Sequence, residues 1–137
     1  MFDLQPGDRV LDLDAGDGRA AGELADQLPR GVLVGLAADG ESLSRARAHN
    51  RDRDNAFFVE ATPEEIPWKE DYFSHAIARQ RLAAAALREV YRVLSEDGRL
   101  FLADGQEACL REAGFVDVEI LEDWVIGRKP KPTTAAG

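Results

Sequence analysis

The chain contains little cysteine and histidine, and fewer basic than acidic residues. Cys109 is the one cysteine among 137 residues, so no disulfide can form within the chain, and this usage fits a reducing, cytoplasmic compartment. One cysteine and two histidines provide no His/Cys ligand set, so we predict no metal site. The 17 Lys and Arg residues against 26 Asp and Glu give a net charge of −9. This charge argues against nucleic acid and membranes as partners.

Long apolar runs are also missing. No stretch reaches the roughly 20 apolar residues of a membrane-spanning helix, and no signal-peptide pattern opens the chain. The length and the 45% hydrophobic content fit one domain with a substantial core. We expect residues 1–128 to form this domain and the Pro-, Thr- and Ala-rich tail 129–137 to be disordered.

A short apolar strand followed at once by glycines is the most informative local pattern. The segment 9–13 has strand length, Asp12 lies near its end, and Gly16 and Gly18 follow. Such a turn between strand and helix lets the backbone approach a ligand at the carboxyl end of the strand. Asp14 occupies the position where most loops of this kind have their first glycine.

Strand-like and helix-like segments alternate along the chain. The predicted helices are 19–28, 41–49, 82–94 and 106–113, and a turn at 95–98 is expected to end the third of them. The predicted strands are 9–13, 32–37, 55–60, 72–78, 99–103 and a closing hairpin of 116–121 and 124–127. This order predicts an open α/β sheet that is mostly parallel, ends in an antiparallel hairpin, has helices on both faces and binds ligand across its strand tips.

Five segments in this order carry a family resemblance: PGDRVLDLDAGDG, VGLAADGESLSRARA, ATPEEIPWKEDYFSHAIA, ALREVYRVLSEDGRLFLAD and LREAGFVDVEIL. Together they resemble class I S-adenosylmethionine-dependent methyltransferases, especially the small-molecule enzymes related to ubiquinone and menaquinone biosynthesis. The match covers nearly the whole chain up to Lys129. The resemblance implies a Rossmann-like sheet, S-adenosylmethionine as cofactor, and in-line attack of a positioned nucleophile on the cofactor's methyl group.

The resemblance also implies where the cofactor lies. In the family, the methionine end covers the glycine-rich turn, an acid at the tip of the second strand binds the ribose, and a polar residue after the third strand binds the adenine. The matching positions form a candidate cofactor site of nine residues: Asp12, Asp14, Ala15, Gly16, Gly18, Ala37, Asp39, Ala61 and Thr62. Ala37 stands at the ribose position and Thr62 at the adenine position. Asp39 either reaches the ribose or is a solvated turn residue.

Several of these positions depart from the family pattern and predict weak or lost cofactor binding. Asp14 adds a negative charge where the cofactor's carboxylate approaches, a repulsion of about 1 kcal/mol at 4 Å in water and about 4 kcal/mol at intermediate dielectric. Ala37 cannot accept the ribose hydroxyls, a loss of roughly 1.5–3 kcal/mol per bond. Only residues 79–81 remain where the family has a longer loop, and the connection after Asp104 is short. The N-terminal helices that cover the cofactor in the family are expected to be absent.

Two functions therefore stay open. The first is a methyltransferase that acts on a small molecule. The second is a non-catalytic module of the same fold whose open cleft is capped by a protein partner, with a homodimer as a further option. No catalytic residue is identified: His75 is either a general base or a structural residue, and Trp68 either stacks on adenine or packs under the 62–71 loop.

Overall fold

The computed structural model describes residues 2–103 and 105–132. The strands are β1 (Arg9–Asp12), β2 (Val32–Ala37), β3 (Ala56–Glu60), β4 (Phe73–Ala78), β5 (Leu94–Leu102), β6 (Val116–Leu121) and β7 (Trp124–Arg128). The helices are α1 (Arg19–Ala25), α2 (Gly40–His49), α3 (Ala84–Val93) and α4 (Glu107–Glu112). Residues 133–137 of the expected tail lie outside the described part of the chain.

The seven strands form one sheet in the order β3-β2-β1-β4-β5-β7-β6. The strands from β3 to β5 pair in parallel, whereas β7 runs antiparallel to both β5 and β6. The predicted sheet, mostly parallel with a C-terminal antiparallel hairpin, is therefore confirmed. From β1 the chain builds outward to β2 and β3 on one side and then crosses to β4 on the other. Ligands of open α/β sheets bind at such a reversal point, beyond the carboxyl ends of the strands.

Side chains that alternate along the central strands build a core on each face of the sheet. Val10, Leu33 and Ile77 are fully buried on the face covered by α1 and α2. Their neighbours Leu11 and Val34 are fully buried on the opposite face, which α3 and α4 cover. Because both faces of the sheet are covered, the sequences of these strands are continuously apolar and do not alternate between apolar and polar residues. The predicted placement of helices on both faces is confirmed.

The largest boundary difference from the sequence-based prediction lies between α3 and β5, whereas other boundaries move by one to three residues. The predicted turn at 95–98 is part of β5, which begins at Leu94 directly after α3. Asp97 has a φ of 65°, so the strand bends there, but its N–H donates to the carbonyl of Lys129 at 2.9 Å. The N–H of Lys129 donates to Gly98 at 2.8 Å. These two bonds keep the segment paired, and they extend the ordered contacts of the domain to Lys129.

Gly18 allows α1 to approach α2 closely. Its φ is 82°, and a Cβ added to it would lie 2.7 Å from the backbone Cα of Ala46 on α2. The Asn50 side chain closes this contact, since its Nδ2 donates to the carbonyls of Gly18 at 3.0 Å and Ala46 at 2.8 Å. The glycine therefore has a structural function independent of any ligand.

We predict that Gly18→Ala destabilises the fold by about 2–3 kcal/mol, because the added methyl group meets backbone and the left-handed φ becomes strained. Gly7→Ala is the matched control, since no atom lies within 4 Å of its added Cβ. Urea unfolding followed by circular dichroism measures both. Equal midpoints for the two variants would contradict this packing role of Gly18.

Candidate functional site

A cleft of ≈ 320 Å³ lies beyond the carboxyl ends of the central parallel strands. This volume is at the lower end of the roughly 300–1,000 Å³ of small-molecule sites. The residues that line it come from the turn after β1, the end of β2 and the start of α2, the segment after β3 and the segment after β4: Leu13, Asp14, Gly16, Leu36, Ala38, Ser42, Ala61, Thr62, Pro63, Glu64, Gln80, Arg81 and Leu82.

The carboxylate of Asp14 binds the chain that follows β4. Asp12 is paired with Ile77, so the next residues on this face, two positions further along each strand, are Asp14 and Arg79. Asp14 Oδ2 accepts the backbone N–H groups of Arg79 at 2.7 Å and Gln80 at 2.9 Å. Arg79 Nη1 also donates to Asp14 Oδ1 at 3.1 Å. The negative charge expected to repel a ligand carboxylate is therefore offset within the protein.

Arg79 also partners Asp12, whose carboxylate is fully buried. Arg79 Nη1 donates to Asp12 Oδ1 at 2.8 Å, and Oδ2 of Asp12 has no hydrogen-bond partner among the described residues. Burial raises the pKa of Asp12, because a low dielectric disfavours the charged form, and the adjacent guanidinium opposes this shift. Arg79 thus provides the positive charge that lets two carboxylates lie close together, one at the end of β1 and one in the turn that follows it.

The glycine-rich turn leaves open space at Gly16. Its φ is 56°, and no atom lies within 4 Å of the position of an added Cβ. Among the described residues, the N–H groups of Gly16 and Asp17 donate to no acceptor. Ala15 is buried beside them, and its own N–H donates to the carbonyl of Leu36 at 3.1 Å. Two unpaired donors on an exposed turn at the edge of the cleft can bind an anionic ligand group.

Ala37 and Asp39, the two residues expected at the ribose, do not line the cleft. Ala37 is fully buried, and its carbonyl accepts the N–H of Ala61 at 3.0 Å. Asp39 is the N-cap of α2 and accepts the N–H of Ser42 at 2.8 Å, which lowers the pKa of this carboxyl. Of the two roles considered for Asp39, a ribose contact or a turn residue, the structure shows Asp39 in the turn before α2.

The structure brings four of the nine candidates together at the cleft, namely Asp14, Gly16, Ala61 and Thr62. Asp12, Ala15 and Ala37 are buried next to it, Gly18 contacts α2 and Asp39 caps α2. As cofactor-binding residues all nine stay predictions. The sequence reading did not identify Ser42, Gln80, Arg81 and Leu82 as lining residues. The sequence shows that the connection 79–81 is short, but no motif in it predicts that these residues line the cleft.

The segment 62–68, which provides another wall, is held by two side chains of α3. Glu89 accepts the N–H of Ile66 at 2.8 Å, and Arg92 donates to the carbonyls of Ile66 and Trp68, both at 2.9 Å. The Trp68 ring packs against Phe73, with centroids 5.8 Å apart, and does not line the cleft. This wall is therefore fixed against the body of the domain.

His75 lies away from the cleft. It pairs with Val10 in the middle of the sheet, its ring stacks on Phe101 at 5.9 Å, and burial lowers its pKa. Within the described residues, no group of three or more His, Cys, Asp or Glu side chains could hold a metal ion. None of the helices in the described ranges has the length and apolar character that crossing a membrane requires.

The sheet order and the cleft at its reversal point define a Rossmann-like domain, a class of fold whose ligands bind at the strand tips. A family model described as "Methyltransferase domain" matches residues 10–98, and the chain belongs to this family of class I S-adenosylmethionine-dependent methyltransferases. It is a methyltransferase-like protein, as the sequence predicts, and the non-catalytic alternative is not favoured.

Individual relatives agree with this assignment. The ubiquinone/menaquinone biosynthesis C-methyltransferase UbiE of Vibrio campbellii is 30% identical over 109 residues, which are 73% of this chain and 42% of UbiE. The crystal structure of YcgJ from Bacillus subtilis superposes with a TM-score of 0.69 at 28% identity, over 81% of this chain and 51% of YcgJ. A S-adenosylmethionine-dependent methyltransferase from Aquifex aeolicus shows the same fold, with a TM-score of 0.79 at 16% identity over 93% of this chain and 85% of that chain. The chain spans about half the length, or less, of UbiE and YcgJ.

We predict that Arg79→Met costs about 2 kcal/mol of unfolding free energy at pH 7, because it leaves the buried Asp12 carboxylate without a positive partner. The cost is less than the 3–5 kcal/mol of a fully buried pair, since the Arg79 side chain is 35% exposed. Without the guanidinium, the native pKa of Asp12 lies further above its unfolded value of about 3.9. Below the unfolded pKa the bound proton contributes its full stability, and this contribution is lost as pH rises through the native pKa. The deficit of Arg79→Met should therefore grow between pH 4.5 and 8.

Urea unfolding across this pH range measures the effect. Arg45→Met is the control, because it breaks an exposed ion pair with Glu41 and should cost less than 0.5 kcal/mol or so at every pH. Adding Asp12→Asn to Arg79→Met should remove the pH dependence. A deficit that is the same at pH 4.5 and 8 would contradict this account of the buried charge.

Proposed function

We propose that the chain binds S-adenosylmethionine in the cleft and transfers its methyl group to a small molecule. The observation that carries the proposal is the open space at Gly16, with the unpaired N–H groups of Gly16 and Asp17 beside it. These donors suit the carboxylate of the cofactor's methionine end, and Asp14 does not prevent the approach because Arg79 compensates its charge.

The remaining cofactor contacts are fewer than the family pattern implies. The hydroxyls of Ser42 and Thr62 line the cleft and can bond to a ribose or an adenine, whereas Ala37 offers no side-chain acceptor. A missing acceptor at about 1.5–3 kcal/mol corresponds to roughly a ten- to hundredfold loss of affinity. We therefore propose binding that is weak but specific.

The chemistry needs little from the protein beyond positioning. The bound cofactor supplies an electrophilic methyl group, and the walls formed by residues 61–64 and 80–82 hold the acceptor and limit water. His75 does not line the cleft, so we assign it no proton transfer in this reaction. An acceptor that is already nucleophilic at neutral pH fits this arrangement.

Isothermal titration with S-adenosylmethionine and S-adenosylhomocysteine tests the proposal. We predict measurable binding of both below millimolar concentration. Absence of any heat at millimolar concentration of either compound would reject the proposed function.

A further inference from the structure

The segment 79–82, called the strap below, is held at both ends by side chains that are distant in sequence. At one end Asp14 Oδ2 accepts the N–H groups of Arg79 at 2.7 Å and Gln80 at 2.9 Å. At the other end Gln106 binds both backbone groups of Leu82, since its Oε1 accepts the N–H at 3.0 Å and its Nε2 donates to the carbonyl at 2.8 Å. Short connections between elements rarely have their backbone groups fixed in this way, because solvent normally satisfies them.

Gln106 makes this contact from a strained backbone. Its φ is 86°, in the left-handed region that non-glycine residues enter at a cost. A glycine would adopt this φ without strain but could not make the two side-chain bonds to Leu82. Strain of this kind is characteristic of positions that hold a functional segment in place.

The strap presents Arg81 at the cleft without a partner. Arg81 lines the cleft and is exposed, and no described residue forms an ion pair or hydrogen bond with it. The nearby carboxylate of Asp14 is occupied by Arg79 and the strap N–H groups. Glu64, which also lines the cleft, makes no ion pair with Arg81 either. A guanidinium without a partner, in a chain of net charge −9, is available to an anionic ligand.

We propose that Asp14 and Gln106 are positioning residues that fix the strap, and that Arg81 binds an oxyanion group of the methyl acceptor. The acceptor is thus a small molecule that carries a carboxylate or a phosphate. Its apolar part lies against Pro63 and Leu82, the proline and leucine of the two walls that hold the acceptor. A guanidinium on a fixed backbone loses less conformational freedom on binding than one on a mobile loop. This acceptor role rests on the proposed function.

The binding test uses three probes of similar size: benzoate, phenyl phosphate and benzamide. S-adenosylhomocysteine binding is measured first without probe, so failure of the proposed function is seen separately. Each probe is then titrated into the protein saturated with S-adenosylhomocysteine, and the backbone and Arg side-chain NMR signals are followed. We expect benzoate or phenyl phosphate to bind at least tenfold more tightly than the neutral benzamide and to shift the Arg81 Nε–H signal. The tighter of the two identifies the oxyanion.

Arg81→Gln should reduce oxyanion affinity at least fivefold and change benzamide affinity less than twofold. Arg88→Gln is the matched control, since Arg88 is an exposed arginine on α3 that does not line the cleft, and it should change neither. Equal affinity for charged and neutral probes, or no effect of Arg81→Gln, would overturn the inference even if S-adenosylhomocysteine binds.

The positioning role has its own measurement. Gln106→Ala should speed amide hydrogen exchange at Leu82 at least tenfold while leaving Leu87, inside α3, unchanged. In the Gln106→Ala background, Arg81→Gln should cost less oxyanion affinity than in the wild type, because the guanidinium is no longer held in place. Additive losses, or unchanged exchange at Leu82, would show that Gln106 does not position the strap.

Discussion

The ion pairs of Arg79 with Asp12 and Asp14 join the ends of the two central strands, and the shape of the cleft depends on them. The Asp12 carboxylate is fully buried, so its charge requires the guanidinium of Arg79, whose Nη1 lies 2.8 Å from Oδ1. Asp14, at the position of a family glycine, uses its carboxylate to hold the start of the segment after β4. One guanidinium thereby compensates a buried charge and fixes a wall of the site.

This arrangement changes what the substitution at position 14 means. A carboxylate at a cofactor loop suggests lost binding when it is considered alone. In the folded chain its oxygens are directed to Arg79 and Gln80, and the volume at Gly16 stays open. The departure that removes an expected contact is Ala37, because its fully buried methyl side chain offers no acceptor at the position where the resemblance places the ribose.

Most of the fold could be predicted from the sequence because apolar runs, glycines and helical spacing are local signals. The α3–β5 boundary could not, because the bonds that keep residues 95–98 in the strand come from Lys129, far along the chain. The place of the cleft residues could be predicted in part, and their role as cofactor contacts stays a prediction. The turn and Thr62 follow from motif positions, whereas the strap depends on the register that places residue 79 beside residue 14. The sequence analysis did not identify Asp39 as an N-cap, although an Asp directly before a helix is a common one.

The most direct test of the account is a crystal structure of the chain grown with S-adenosylhomocysteine. We predict that the ligand lies between Gly16 and Thr62, that its carboxylate accepts the N–H groups of Gly16 and Asp17, and that Asp14 remains bonded to Arg79 and Gln80. Density for the ligand outside this cleft, or an Asp14 side chain that turns into the cleft and excludes the ligand at millimolar concentration, would contradict it.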